Sequence, residues 1–191
     1  MNKLYPIFIK VDKINILIVG GGNVGLEKLN AIIQNNPDAC ISIVAPNIKP
    51  EIEEMASNHN YIILIKRKYE DNDLTYKHLV ICATDDKYLH AHIYNKCVEN
   101  NILINVADTP ELCNVYLGSI VQKGDLKIAI STNGKSPTFA KRLKEVLNEV
   151  FISEDINTLL ENLSAIRDKL KGSFQEKVQK MNEITRKLIE E

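Results

Sequence analysis

The chain has 191 residues, and 24 Lys plus Arg against 25 Asp plus Glu leave a formal net charge of −1 at pH 7. That balance excludes a protein held chiefly by a nucleic-acid backbone or an acidic membrane surface, because both partners are bound by summed positive charge. Hydrophobic residues make up 45% of the chain, enough for a buried core and too many for intrinsic disorder, and the length allows one domain plus a substantial extension.

Lys3, Lys10, Asp12 and Lys13 interrupt the apolar residues of the first 20 positions, so no signal peptide or membrane helix is expected there and the chain reads as cytoplasmic. Cys40, Cys82, Cys97 and Cys113 stand singly with no C-x-x-C pair. That spacing argues against a disulfide framework and against a structural zinc site.

Residues 14–20 (INILIVG) form a short run rich in β-branched residues that ends in glycine, the profile of a buried parallel strand. A helix is predicted after Gly20-Gly21-Gly22-Asn23-Val24-Gly25, where Val24, Leu29, Ile32 and Ile33 recur at near-helical spacing until Asn35-Asn36-Pro37. Strand 40–45 follows and closes at Pro46. A short polar helix is predicted over 51–57, strands over 61–65 and 78–83, a helix over 89–100 and a fifth strand over 102–106. Strands alternating with helices imply right-handed crossovers, hence an α/β fold with an open, Rossmann-like parallel sheet.

The chain changes character after residue 112. Runs 115–121 and 126–131, joined by Lys123-Gly124-Asp125, carry a hairpin signal. Ser136-Pro137 is a good helix start, since the hydroxyl caps free amides and proline suits the first helical position. From Ile156 to Leu188 apolar residues recur at helical spacing among charges of both signs, an amphipathic tail that either covers a second subunit or folds back as two helices around Gly172. Three segments are therefore expected: a dinucleotide-binding domain at 1–112, a small α+β dimerisation and substrate segment at 113–150, and a helical C-terminal domain at 151–191. A homodimer is expected, because the amphipathic stripe and the two strands each need a partner.

Gly20-x-Gly22-x-x-Gly25 lies between the first strand and its helix. In a dinucleotide-binding turn the first glycine permits the tight turn, the second lets backbone approach a pyrophosphate, and the third allows close helix–sheet packing. The free amides of the helix start then face the phosphates. Glycine patterns also occur in turns that merely pack, and it is the strand–turn–helix context that points to a dinucleotide. The acidic residue that would hold the adenosine ribose about 20 positions on is missing. The strand ends Val44-Ala45-Pro46-Asn47, without a carboxylate and without an arginine for a 2′-phosphate. Asn47 can still hydrogen-bond a ribose hydroxyl, which favours NAD over NADP mildly.

Asp108 follows the fifth strand, at the carboxyl edge of the sheet where ligands bind in such folds. A carboxylate there can take a proton from a substrate while a nicotinamide takes a hydride, and it can equally cap a turn before Pro110. Thr84-Asp85-Asp86 ends the fourth strand on the same rim, with both aspartates read first as helix caps. Segment 131–137 puts the hydroxyls of Thr132 and Ser136 at a helix start with Lys135, Lys141 and Arg142 nearby. Such a site attracts carboxylates or phosphates, though a capped helix with solvated lysines accounts for the same residues. The four histidines, at 59, 78, 90 and 92, include no pair with metal-ligand spacing, and no metal site is expected.

Several motifs occur in series: Tyr5-Pro6-Ile7-Phe8, Ile18 to Gly25 with Lys28 after it, Val44-Ala45-Pro46, Ala83 to Asp86, Asn105 to Asp108, and Ser131 to Pro137. Together, over residues 1 to about 150, they resemble the precorrin-2 dehydrogenase/sirohydrochlorin ferrochelatase family, the dehydrogenase part of sirohaem synthase. The resemblance implies that NAD⁺ oxidises precorrin-2 to sirohydrochlorin, with some members then inserting Fe²⁺. It also implies that Asn23, Val24, Pro46 and Asn47 line the NAD site beside Gly20, Gly22, Gly25 and Thr84, and that Asp108 is the aspartate implicated in both activities. The polycarboxylate precorrin-2 gives the Lys135 to Arg142 segment a ligand to attract. Members often read Ser-Ser-Gly-Gly where this chain has Ser131-Thr132-Asn133-Gly134, so any phosphorylation of the second serine passes to Thr132. With its end at residue 191 the chain has no room for the methyltransferase domain of the fused enzymes, and uroporphyrinogen methylation is expected from another protein. The competing reading is a regulatory module that senses NAD without catalysis. Such regulators usually add a DNA-binding helix or sit beside a channel, and neither a basic recognition helix nor a membrane segment is visible here.

Overall fold

The computed structural model describes residues 2–150 and 153–186. They form two compact units, one up to Leu117 and one from Gly118 onward. The first unit runs β1 (Asn15–Gly21), α1 (Asn23–Asn35), β2 (Cys40–Ile48), α2 (Pro50–Asn58), β3 (Ile62–Ile65), β4 (Leu79–Cys82), α3 (Lys87–Glu99) and β5 (Leu103–Val106). All five strands are parallel, in the order β3-β2-β1-β4-β5. The strand order reverses between β1 and β4, which is the position where open α/β sheets bind ligands.

β1 explains why its sequence is apolar without alternation. Ile16 and Ile18 join Leu29 and Ile52 under α1 and α2 on one face. Leu17 and Val19 join Ile93 and Cys97 of α3 on the other. A strand buried on both faces has no polar side to show, and each of these side chains contributes about 1.5–3 kcal/mol by leaving water.

β2 extends past the predicted stop at Pro46 to Ile48. Its register with β1 runs from Asn15↔Cys40 to Val19↔Val44 and then slips, so that Gly21 pairs with Ile48. Proline has no N–H and interrupts the ladder, while a bare Gly21 lets the backbone resume: a Cβ there would stand 2.6 Å from the Asn47 carbonyl oxygen. This slip lays residues 47–49 against the glycine turn. Between β3 and β4, Arg67 donates to both oxygens of the buried Asp73 carboxylate at 2.9 and 2.6 Å, and the Glu70 amide adds a third bond at 2.9 Å.

The second unit holds an antiparallel hairpin, β6 (Ser119–Lys123) and β7 (Leu126–Ile130), followed by α4 (Pro137–Val150), α5 (Ser153–Lys169) and α6 (Phe174–Arg186). Val121, Ile130 and Ala140 form its small core with Ile128, Leu143 and Leu147. The first hairpin strand begins at 119 rather than 115, because Val115 is already paired to the first unit's sheet: its N–H donates to the Ile104 carbonyl at 3.3 Å and its carbonyl accepts from Asn105 at 2.9 Å. The tail breaks at Gly172, whose φ of +114° suits glycine. Ser173 and Glu176 then cap α6 reciprocally, at 2.7 Å from the Ser173 amide to the carboxylate and 3.3 Å from the Glu176 amide to the hydroxyl. Leu188, the end of the predicted stripe, lies outside the described residues. Among those residues no helix is long and apolar enough to cross a membrane.

Candidate cofactor and catalytic site

The three motif glycines divide the work of the turn. At Gly20, where φ is +121°, a Cβ would run into the Ala83 carbonyl and stand 3.2 Å from Thr84 Cγ2, so the turn packs directly on the end of β4. A Cβ on Gly25 would run into the Gly20 carbonyl oxygen, whereas a Cβ on Gly22 would meet nothing within 4 Å. Gly22 is also the N-cap of α1 and supplies no side-chain cap. The first intrahelical bond runs from the Leu26 amide to the Gly22 carbonyl at 3.0 Å. The amides of Asn23, Val24 and Gly25 therefore have no carbonyl within the helix, and they follow directly on Gly22, where the space a side chain would take is open. Donors at a helix start, facing a cradle that a side chain would fill, fit the pyrophosphate of a dinucleotide.

Residues around the turn complete the rim. Pro46 and Asn47 are exposed at the end of β2. Lys49, which sequence reasoning missed, donates from Nζ to Asn23 Oδ1 at 2.8 Å and lies 3.2 Å from Glu51. It brings a cation to the phosphate end of the site. The only signal for it in the sequence was that it is the first basic residue beyond the second strand. Thr84 Oγ1 is hydrogen-bonded with Nε2 of His90 at 2.9 Å and accepts the Asp86 amide at 3.3 Å. His90 is buried, and this hydroxyl is what occupies it. Asp86 caps α3 by accepting the Tyr88 and Leu89 amides at 3.0 Å each, and Asp85 is exposed beside it.

Asp108 stands just past β5, exposed, in a turn closed by the Thr109 amide on the Val106 carbonyl at 3.3 Å. Its φ is +55°, a left-handed conformation that aspartate tolerates better than most residues. The short helical turn that follows, Pro110–Leu112, has Thr109 at its N-cap and no side-chain cap bond. Because β5 is parallel to β1 and β4, Asp108, Thr84 and the glycine turn all lie at the same carboxyl edge of one sheet.

In the second unit, Thr132 Oγ1 accepts the Ser136 amide at 3.1 Å and Ser136 Oγ accepts the Phe139 amide at 3.2 Å, so both hydroxyls build the start of α4. Lys135, Lys141 and Arg142 are exposed beside it, and Arg142 pairs with Glu145 at 2.7 Å. The other histidines have structural partners: His78 Nδ1 accepts the Asn15 amide, His59 donates to the Met55 carbonyl, and His92 meets Asp71 at 2.6 Å. Among the described residues no three His, Cys, Asp or Glu side chains are placed to hold a metal.

A family model described as putative NAD(P)-binding matches residues 7–119. The chain belongs to this NAD(P)-binding family. A second model, described as the central part of a sirohaem biosynthesis protein, matches residues 123–149. Siroheme synthases of Psychrobacter cryohalolentis and Pseudoalteromonas translucida are each 35% identical over 170 residues, or 89% of this chain. The chain spans about a third of the length of these relatives, 32% and 35% respectively. Among solved structures, SirC, a precorrin-2 dehydrogenase, superposes with a TM-score of 0.73 at 26% identity, covering 95% of this chain and 89% of that one. The likeness read from the sequence to the precorrin-2 dehydrogenase/sirohydrochlorin ferrochelatase family holds, and so does the α/β fold.

Proposed function

We propose that this chain oxidises precorrin-2 to sirohydrochlorin with NAD, and that Asp108 takes the proton. The observation that carries the reading is the shared edge: an open glycine turn at the end of β1 and an exposed aspartate at the end of β5, in a chain whose structural neighbour is a precorrin-2 dehydrogenase. NAD, when bound, supplies the acceptor of the hydride. The protein's part is to hold and to deprotonate. Gly22 and the α1 amides take the pyrophosphate, Gly20 and Gly25 keep the turn tight, and Asn23, Val24, Pro46, Asn47 and Thr84 line the remainder. Asp108 receives the proton at its carboxylate, and its exposure leaves it open to a ligand lying over the sheet edge. Thr132, Lys135, Ser136, Lys141 and Arg142 bind substrate carboxylates, the cations by charge-assisted hydrogen bonds. Fe²⁺ is a further substrate where the ferrochelatase step is present. A homodimer and a cytoplasmic location belong to the same reading, with segments 1–112, 113–150 and 151–191 serving cofactor binding, dimerisation with substrate binding, and the helical tail.

The test is an anaerobic assay with precorrin-2 and NAD⁺, followed by Fe²⁺. Asp108→Ala should keep NAD affinity in a binding titration and lose about 10²–10⁴-fold in turnover, the usual contribution of a positioned general base. A near-parental rate would remove Asp108 from the mechanism and turn attention to Thr84, Asp85 or a substrate carboxylate.

A further inference from the structure

We infer that Cys113 is the positioning residue for Asp108, its thiol closing the turn from which that carboxylate meets substrate; the inference rests on the catalytic reading of Asp108 above. β5 is an edge strand, so the backbone groups on its outer side have no strand to pair with. Residues 113–115 supply substitutes. Asn114 Oδ1 accepts the Ile104 amide at 2.7 Å, and the Asn114 and Val115 amides donate to the Ile104 carbonyl at 3.0 and 3.3 Å. The next outward amide, that of Val106, donates to Cys113 Sγ at 3.1 Å. The same sulfur lies 3.3 Å from the Val106 carbonyl and 3.4 Å from the Thr109 carbonyl, and can donate its proton to either.

The thiol therefore bonds both ends of the four-residue turn Val106-Ala107-Asp108-Thr109. Val106 is only 2% exposed, so water is poorly placed to take over the amide if the sulfur is lost. Asp108 occupies the turn's third position at φ +55°, a conformation that a non-glycine residue keeps where its surroundings over-determine it. Burial pushes the Cys113 thiol up against the opposing pull of the Val106 amide. The sulfur thus keeps its proton at neutral pH and serves as donor and acceptor together.

Cys113→Val fills the site without offering a hydrogen bond, and Cys113→Ser keeps both donor and acceptor. Cys113→Val should lower kcat by about tenfold or more, in line with the cost of misplacing a catalytic group, while the NAD dissociation constant and the KM for precorrin-2 stay near parental. Cys113→Ser should restore most of the turnover. Cys113→Ala replaces valine in the comparison if the branched side chain does not fold. Asp108→Asn is assayed in parallel. Parental turnover in Asp108→Asn would overturn the catalytic reading and this inference with it. An inactive Asp108→Asn beside a fully active Cys113→Val, whatever its melting temperature, would overturn the positioning role alone. So would a serine variant no better than valine.

Discussion

Gly22 separates binding from folding more cleanly than any other residue in the turn. Because a Cβ there meets nothing within 4 Å, Gly22→Asp should fold normally, yet its carboxylate would stand where the phosphates belong. NAD titration of the folded variant is expected to show no binding, and parental affinity would mean that the turn is not the phosphate site. Gly25 behaves in the opposite way, since any side chain there runs into the Gly20 carbonyl. Gly25→Ala is expected to lose stability together with affinity, by about 1–3 kcal/mol in the manner of overpacked sites.

At the scale of elements, the connection from β3 to β4 is gathered around Arg67, which pairs with Asp73 at 2.6 Å and lies 4.0 Å from Glu70. Burial by itself would raise the Asp73 carboxyl, but the Arg67 guanidinium and the Glu70 amide outweigh it and hold the group below the usual carboxylate range. A carboxyl depressed in the folded state contributes stability that is present above its unfolded pKa, about 3.9, and is lost as pH falls through the folded value. Thermal melts should therefore show the parent losing its advantage over Asp73→Asn below about pH 4. A difference in melting temperature that stays constant from pH 7 to pH 2 would remove the linkage. Arg67→Ala, which leaves Asp73 buried without its cation, should cost about 1–3 kcal/mol at pH 7.

For the whole molecule, the exposed apolar side chains of the second unit set the expectation. Phe139, Val146 and Val150 on α4 are 59%, 53% and 65% exposed, and Phe174 on α6 is 81% exposed. Val178, four residues after Phe174, is 41% exposed, so on each helix the exposed apolar residues share one face, and such faces are usually covered by a partner. The expected partner is a second copy. Light scattering at micromolar concentration should return the dimer mass, and a Val146→Glu, Val150→Glu double variant should shift it toward monomer. A parent that is monomeric under those conditions would defeat the expectation.

The sequence by itself determined the parallel sheet, the glycine turn and the Ser136 cap, because each rests on local chemistry: a run of β-branched residues, glycines at fixed spacing, a hydroxyl before proline. It also placed Asp108 at the sheet edge, since parallel strands leave their ends on one side. What tertiary structure alone decided were the side-chain contacts that no local pattern records and the conformations those contacts impose. Lys49 reaches Asn23 only because the β1–β2 register slips after Val19. The buried His90 is explained only by a hydroxyl on the neighbouring strand's end. The left-handed Asp108 stands beside a thiol whose bond to the Val106 amide reflects an edge strand whose outward amides must find acceptors. No periodicity records that requirement, because it arises only once the fifth strand has become the last in the sheet.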